Sequence, residues 1–311
     1  MHPVAVATPD ELTQALHLSF AHVAERERLG RVDNALRLVQ EGELDPKGVF
    51  VIRRTDGVVG AIVSMLVPGA SALIWPPQAA AGLQEESIQD QLLKASEDWL
   101  RSGGAKLAQA LIAREDRHLG AALVRNGYRH VTSLCYMRNE FEAPVDMLAG
   151  TSMLELQSYE FCDRNEFNET LLKSYVESRD CPEVNGIRTI EEIIDGHKSQ
   201  GKHNPSCWWL ARLAGRPVAV LLMSEIPEWQ AWDLSYVGVV PEARGQGIGR
   251  ELTLKALHDA RAAGALQVTL AVDNRNTAAW NLYRGLDFQS FDEREVYLAL
   301  WNRICKKSEP G

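Results

Sequence analysis

A glycine-rich stretch at residues 245–250, Gly-Gln-Gly-Ile-Gly-Arg, stands between two patterns of different period. The preceding run, Trp232–Val240, is apolar and typical of a buried strand, and Glu251–Ala263 has apolar residues at helical spacing. Glycine lets backbone N–H groups approach a ligand closely, and the N-terminus of a helix carries partial positive charge. The stretch therefore predicts an anion site at a strand-to-helix junction.

Two common nucleotide-binding motifs do not fit this stretch. No Lys-Ser or Lys-Thr pair follows Gly249, which argues against a Walker loop, and the glycine spacing is not Gly-x-Gly-x-x-Gly. Tight glycine-rich turns also occur in proteins that bind nothing there. Taken alone, the stretch leaves a plain structural turn as an open alternative.

A second motif, Asn276-Thr-Ala-Ala-Trp-Asn-Leu-Tyr283, lies downstream. Asn276 is suited to cap the N-terminus of a short helix, in which Ala279, Leu282 and Tyr283 fall on neighbouring turns. A tyrosine at a helix end is, by itself, most simply a residue at the rim of the core.

The first motif resembles the acetyl-CoA loop of the GCN5-related N-acetyltransferase (GNAT) superfamily. That pattern is Arg or Gln, two residues, Gly, one residue, then Gly or Ala, and Arg244, Gly247 and Gly249 match it. The resemblance implies acetyl-CoA as cosubstrate and no metal ion. The cofactor-binding residues that it implies are Gly238, Val239, Val240, Arg244, Gly245, Gln246, Gly247, Ile248, Gly249, Arg250 and Asn276.

The second motif resembles another GNAT signature, Asn-x-x-Ala-x-x-x-Tyr followed by Gly-Phe. The chain departs from it at Asp287, where the family usually has glycine before Phe288, and this departure puts the following turn in doubt. The resemblance implies that Tyr283 lies near the thiol end of the cofactor and protonates the departing thiolate. It also implies that Gly238–Val240 splays away from the next strand.

Acyl transfer from a thioester to an amine needs an unprotonated nucleophile, and therefore a base. Asp233 precedes Arg244 by the same interval as the carboxylate of histone-type GNAT proteins, which implies Asp233 as that base. The period of two along a strand predicts that Asp233 shares a face with Ser235 and Val237. A locally hydrogen-bonded strand residue is the open alternative. The reserve candidates are Glu225, Glu228, Tyr236 and an ordered water relay.

The acceptor-binding segment is predicted in the polar connection at residues 177–186, which is punctuated by proline and glycine and can order over a substrate. Trp229 and Trp232 flank Asp233 and could line an acceptor pocket, although tryptophans near strand ends belong to the core more often. Three histidines show no metal-ligand spacing and are interpreted as surface or solvated residues. These are His197, His203 and His258.

Composition places the 311-residue chain among ordinary globular proteins. A net charge of −9 argues against general nucleic-acid binding, and five widely spaced cysteines favour free thiols in a reducing compartment. No apolar run approaches 18 residues, so we expect a cytoplasmic protein with no membrane partner. We expect a monomer or homodimer whose partner is a small-molecule or peptide amine acceptor.

The chain also contains an internal repeat. Phe50–Arg54 and Trp208–Arg212 are similar segments, and each occupies the same place in an order of helices and strands that occurs twice. This repetition favours a tandem duplication over two unrelated domains. The resemblance thus implies an α/β fold with a mixed, largely antiparallel central sheet and helices on both faces, in two tandem GNAT-like domains. Residues 1–147 are predicted to be a degenerate copy without a cofactor loop, and residues 148–311 the active GNAT domain.

Three functions remain open from the sequence. The first is an acyl-CoA-dependent N-acyltransferase, most simply of acetyl to a primary amine. The second is a non-catalytic acyl-CoA-binding regulatory module. The third follows from the tandem organisation, which is similar to mycothiol synthases, and is acetyl transfer to a small thiol compound.

Overall fold

The computed structural model describes residues 3–55, 57–82, 84–142 and 154–301, and these form two compact units. The first unit contains the residues up to Val131 together with those from Arg294 onward, and the second contains Thr132–Glu293. The first unit is therefore made of two separate segments of the chain, and the second of one continuous segment.

After the short strand β1, the first half of the chain has two helices, four strands, and then helices and strands in alternation. They are β1 (Val4–Val6), α1 (Pro9–Ser19), α2 (Glu25–Gln40), β2 (Val49–Arg54), β3 (Gly57–Val67), β4 (Ser71–Ile74), β5 (Gln78–Ala79), α3 (Glu85–Ser102), β6 (Leu107–Ala113), α4 (Gly120–Arg125) and β7 (Arg129–Asn139).

The second half repeats this order. Its elements are β8 (Leu154–Ser158), α5 (Arg164–Ser174), α6 (Ile190–Lys198), β9 (Lys202–Leu213), β10 (Arg216–Ile226), β11 (Ala231–Val239), α7 (Ile248–Ala262), β12 (Gln267–Asp273), α8 (Thr277–Arg284) and β13 (Gln289–Leu300). Strand β1 occupies the place of β8 in the repeat, but its three residues are too few to show a period of two in the sequence.

The first unit is a sheet in the order β1-β2-β3-β4-β6, and residues 294–300 of β13 pair with β6. Among the strand pairings of the described residues in this unit, only that of β4 with β6 is parallel. One apolar cluster packs α3 and α4 on one face, and a second packs α1 and α2 on the other.

The second unit is a sheet in which residues 134–139 of β7 pair with β12, followed by β11, β10, β9 and β8. Here too only one pairing, β11 with β12, is parallel. Helices α7 and α8 pack on one face, and α5 and α6 on the other. The predicted mixed sheet with helices on both faces is confirmed.

The predicted boundary between residues 147 and 148 lies outside the described residues. The compact units exchange terminal segments relative to that division, because β7 hydrogen-bonds to β12 and the end of β13 hydrogen-bonds to β6. The division into 1–147 and 148–311 stays a prediction about the sequence repeat. Among the described helices, none is both long and apolar enough to cross a bilayer.

The chain segments that make up the second unit predict which of two fragments is more stable. A fragment of residues 148–311 lacks the strand segment that covers β12, including the buried Met137, whose loss alone costs about 2–5 kcal/mol. We expect it to melt at least ~5 °C below a fragment of residues 132–293, measured by circular dichroism. Equal melting temperatures would contradict this account of the unit.

Candidate active site

Strands β11 and β12 of the second unit are paired along only part of their length. They pair only where Ala231–Asp233 faces Gln267–Thr269, although β11 continues to Val239 and β12 to Asp273. On its other side β11 stays paired with β10 as far as Val239. The result is an opening between two parallel strands, as predicted for Gly238 and Val239.

A β-bulge precedes the opening. Between the pairs Asp233–Ser224 and Tyr236–Leu222, β11 has two residues where β10 has one. The bulge shifts the alternation of side chains, so Val237 packs in the cluster with α7 whereas Tyr236 packs in the cluster with α5. The prediction that Val237 shares a face with Asp233 is therefore wrong, because a period of two holds only without an inserted residue.

A cavity of about 470 Å³ occupies this opening. It is bounded by β11, the loop that begins α7, the first turns of α8, and the segment that follows α5. The structure brings most of the predicted site residues to its wall. Those lining it are Gly238, Val239, Arg244, Gly245, Gly247, Ile248, Gly249, Arg250, Asn276 and Tyr283.

Three predicted residues do not line the cavity: Asp233, Val240 and Gln246. Val240 is buried, and its N–H donates to the carbonyl of Val218 at 2.9 Å, so this N–H is not available to a ligand. Gln246 is exposed on the loop.

The glycine loop has the backbone of an anion cradle. Gly245 and Gly247 have φ angles of 76° and 81°, in the left-handed region, and a Cβ on either would meet no atom within 4 Å. Among the described residues outside α7, none accepts a hydrogen bond from the N–H groups of residues 245–250. Open space, free N–H groups and the start of a 15-residue helix coincide here.

Gly238 is glycine for a different reason from the loop glycines. A Cβ at this position would overlap Ser174 Oγ and the ring of Tyr236, whose hydroxyl hydrogen-bonds to the same Ser174 Oγ at 2.9 Å. The close backbone approach predicted at Gly238 is therefore an approach of α5 to β11.

Arg244 connects the two sides of the cavity. Its guanidinium donates to the carbonyls of Ser174 at 3.1 Å and Val176 at 2.6 Å, at the end of α5, and its Nε donates to Val239 at 3.1 Å. These carbonyls belong to a helix C-terminus, which favours a cation. The side chain of Arg244 thus positions the segment after α5, and the residue also lines the cavity.

Tyr283 is held by both ends of α8. Asn276 caps the helix, its Oδ1 accepting from the Ala279 N–H at 3.3 Å, as predicted. At the other end Phe288 N–H donates to the Tyr283 carbonyl at 3.1 Å, and Asp287 takes the left-handed conformation with φ 60°. Aspartate tolerates that conformation, so its replacement of the usual glycine leaves the turn intact.

The Tyr283 hydroxyl is kept protonated by its surroundings. Burial raises the pKa of Tyr283 well above its ordinary value, and the nearby Asp180 carboxylate and Tyr236 raise it further. Among the described residues the hydroxyl has no hydrogen-bond partner. Tyr283 therefore offers a proton to the cavity at neutral pH.

Asp233 lies below the opening, where β11 still pairs with β12. Its Oδ1 accepts from Thr269 Oγ1 at 2.9 Å and its Oδ2 from Ser235 Oγ at 3.0 Å. Burial raises the pKa of Asp233, and these two hydroxyls oppose the rise. The structure thus surrounds Asp233 with local donors, which is the alternative that the sequence left open.

Two other carboxylates lie at the cavity wall, Asp180 and Glu177, and of these Glu177 is exposed whereas Asp180 is half-buried. Its Oδ1 accepts from the Asp273 N–H at 3.3 Å. Burial, together with the charge of Asp273, raises the pKa of Asp180 to about 6. The sequence indicated the connection at residues 177–186 as acceptor-binding, but nothing in its pattern singled out Asp180 as a titrating group.

The connection is anchored by the buried Asp273. Its carboxylate accepts from Thr132 Oγ1 at 2.6 Å, from the Cys181 N–H at 3.0 Å and from Arg275. Burial opposes ionisation, but the hydrogen bonds from Arg275 and Thr132 prevail and lower the pKa of Asp273. Arg275 also pairs with Glu183 at 2.7 Å, which fixes the connection at a second point.

Asp180, Cys181 and Asp273 each offer a potential metal-ligand atom, all within 4.8 Å of one another. Their chemistry does not favour a metal centre. Both oxygens of Asp273 already accept hydrogen bonds, and burial beside carboxylates raises the pKa of the Cys181 thiol, which disfavours the thiolate that binds metals.

Other residues proposed from the sequence lie away from the cavity wall. Trp229 is exposed, and Trp232 packs against the cluster with α7. The surface interpretation is wrong for His197, whose ring packs against Trp208 and Tyr236 and hydrogen-bonds to the Tyr175 hydroxyl at 3.1 Å. Burial lowers the pKa of His197 to about 4.

The acetyltransferase (GNAT) family model matches residues 170–288, a range that contains the opening, the glycine loop and α8. Residues 170–288 belong to the GNAT family. The GNAT domain thus comprises the elements that build the cavity.

Two solved structures resemble the whole chain. A GCN5-related N-acetyltransferase from Sphaerobacter thermophilus has a TM-score of 0.64 at 17% identity, covering 96% of both chains. A tandem GNAT protein from the clavulanic acid biosynthesis pathway has a TM-score of 0.54 at 15% identity, covering 97% of this chain and 99% of that one. The chain therefore has the fold of a tandem GNAT protein.

Among curated proteins, a mycothiol acetyltransferase from Thermobispora bispora is 38% identical over 117 residues. The match covers 36% of this chain and 39% of that protein, so it spans well under half of the relative's length.

Gly247→Ala tests the cradle. The left-handed backbone at this position costs an alanine about 1–2 kcal/mol, and the added methyl group enters the space above the free N–H groups. We expect a modest loss of stability in urea denaturation and weaker acetyl-CoA binding by calorimetry.

Gly264→Ala is the matched control, since Gly264 has a φ of 83° with open space around it and lies just beyond α7, away from the cavity. It should lose similar stability but keep its affinity for acetyl-CoA. Equal loss of affinity in both variants would contradict the role of the loop.

Proposed function

We propose that this chain is an acyl-CoA-dependent N-acyltransferase that transfers acetyl from acetyl-CoA to a primary amine. The observation that supports it most is the joining, in one cavity, of the glycine cradle, the parted strands and a protonated Tyr283. The anion cradle and the proton donor lie on different walls, as a long cosubstrate with a phosphate end and a thioester end requires.

The residues present fit acetyl-CoA. The N–H groups of residues 245–250 and the exposed Arg250 would hold the phosphates. Because the Val240 N–H points to β10 and backbone direction alternates along a strand, the Val239 N–H points into the opening. It would hold the acyl-carrying arm there. When bound, acetyl-CoA supplies an activated acyl group.

Tyr283 would give its proton to the sulfur that leaves. The hydroxyl is kept protonated by burial and has no competing partner among the described residues, so the proton is available when charge develops on sulfur.

The first unit supports a single active site. In place of the cradle, α3 begins with Glu85 and Glu86, whose charges oppose an anion at that helix N-terminus. The capping bonds of Gly127 and Tyr128 reproduce those of Asp287 and Phe288, which puts Leu123 at the position of Tyr283. A leucine cannot donate a proton.

The acceptor class follows from the relative and from the site. The relative named mycothiol acetyltransferase favours a small acceptor that carries a thiol as well as an amine. Asp180 on the wall would attract the cationic amine. A regulatory module that binds acyl-CoA without turnover is the competing function.

An assay of thioester consumption and free thiol release separates these two functions. The intact chain is incubated with acetyl-CoA and a panel of amines that includes small aminothiols, peptides and simple diamines. We expect turnover with at least one small amine. Tight acetyl-CoA binding without turnover across the panel would favour the regulatory module.

Tyr283→Phe tests the proton donor. Loss of the hydroxyl should lower kcat by about 100-fold or more, with little change in acetyl-CoA affinity, because the hydroxyl acts only when the thiol leaves. Steady-state kinetics and calorimetry measure the two quantities.

Tyr128→Phe is the matched control, since Tyr128 is also buried, has no hydrogen-bond partner for its hydroxyl and lies in the first unit. Its kcat should stay at the wild-type value. A Tyr283→Phe variant with unchanged kcat would remove Tyr283 from the reaction.

A further inference from the structure

We propose that Asp180, on the connection after α5, is the general base of the transfer, a role that rests on the proposed acyl transfer. The base is then Asp180, on the segment predicted to bind the acceptor, and not Asp233 on strand β11.

The position of Asp180 satisfies the first need of a base, which is access to the reacting nitrogen. It lines the same cavity as Tyr236 and Tyr283, and its charge is close enough to raise the pKa of both. Of its two carboxylate oxygens, Oδ1 accepts from the Asp273 N–H, and Oδ2 has no partner among the described residues. One oxygen is thus free to accept a proton.

The second need is a fixed position. Cys181, the next residue, donates its N–H to Asp273, and Glu183 pairs with Arg275. The Asp180 N–H itself donates to Ser178 Oγ at 3.1 Å. Arg244 holds the start of the same segment through the carbonyls at the end of α5. The carboxylate is therefore held from both sides.

The third need is a pKa below but near neutral pH. Burial and the Asp273 carboxylate raise the pKa of Asp180 to about 6, while the Asp273 N–H and the Arg275 guanidinium oppose the rise. Tyr175, Tyr236, Tyr283 and the Cys181 thiol, which lie near it, all have a raised pKa and are therefore neutral. Of the carboxylates on the same segment, Glu177 is exposed and Glu183 is paired with Arg275. Asp180 is thus ionised above pH 6 and protonated below it, so the base form is lost as pH falls.

Asp180 and Tyr283 together account for the protons that move in the transfer. The amine, neutral after its ammonium proton has passed to solvent, forms a bond from nitrogen to the acyl carbon as the carbon–sulfur bond breaks and its electron pair stays on sulfur. The nitrogen loses one proton to the Asp180 carboxylate, and the sulfur gains one from the Tyr283 hydroxyl. Proton exchange with solvent then returns the acid to a carboxylate and the phenolate to a hydroxyl.

The experiment is the pH dependence of kcat/KM in the intact protein and in Asp180→Asn, with acetyl-CoA and the best amine of the panel. The wild type should show an ascending limb with a midpoint near pH 6. The variant should lose about 100-fold or more in kcat/KM above pH 7, and it should lose the limb. Thermal shift with acetyl-CoA verifies that the variant is folded and still binds the cosubstrate.

Two carboxylate-to-amide variants sharpen the test. Glu169→Gln, on the exposed face of α5, should be indistinguishable from the wild type. Asp233→Asn should keep the ascending limb, whatever it does to stability, because Asp233 does not line the cavity.

The outcomes separate two failures. An Asp180→Asn variant that keeps the limb, or an Asp233→Asn variant that loses it, overturns the assignment of Asp180 while leaving acyl transfer intact. A misfolded Asp180→Asn is replaced by Asp180→Glu, which should restore the limb with a reduced rate; a Glu variant without it also overturns the assignment. If the wild type consumes no thioester with any amine, acyl transfer itself has failed, and the role of Asp180 with it.

Discussion

The parting of two parallel strands is the constraint on which the cavity depends. Strands that stay paired leave no room between them, and β11 leaves β12 after three residue pairs. The bulge before Tyr236 turns the strand at that point, and Gly238 lets α5 approach closely enough for Ser174 to contact Tyr236. Arg244 then ties the end of β11 to the end of α5. The bulge, the contact of Ser174 with Tyr236 and the hydrogen bonds of Arg244 thus all hold β11 away from β12.

The electrostatics of the cavity are divided between its walls. One wall has unpaired N–H groups and the start of α7, and it favours negative charge. The segment after α5 contributes Asp180, beside Asp273, and this part of the wall favours positive charge. An overall charge of −9 plays no part in attracting an anion. The attraction of the loop for an anion depends on local backbone geometry, which a net charge does not describe.

Much of this could be predicted from sequence because it rests on local rules. The glycines at 245 and 247 and the cap at Asn276 follow from spacing, and the mixed sheet follows from the resemblance to the GNAT superfamily. The bulge could not be predicted, since one inserted residue leaves no mark in an apolar strand. Nor could the roles of Asp180 and Asp233, because the burial and partners of a carboxylate depend on elements distant in sequence, such as Thr132 and Thr269.

The segments exchanged between the units affect the order in which the chain can fold during its synthesis. The edge of β6 is covered by residues 294–300, which leave the ribosome after β6 and after the whole of the second unit. Until they emerge, the first unit presents an open strand edge of the kind that invites pairing with another chain. Folding from the N-terminus, usual for domains during synthesis, cannot finish the first unit early. The order of translation and the order of assembly are therefore opposed in this protein.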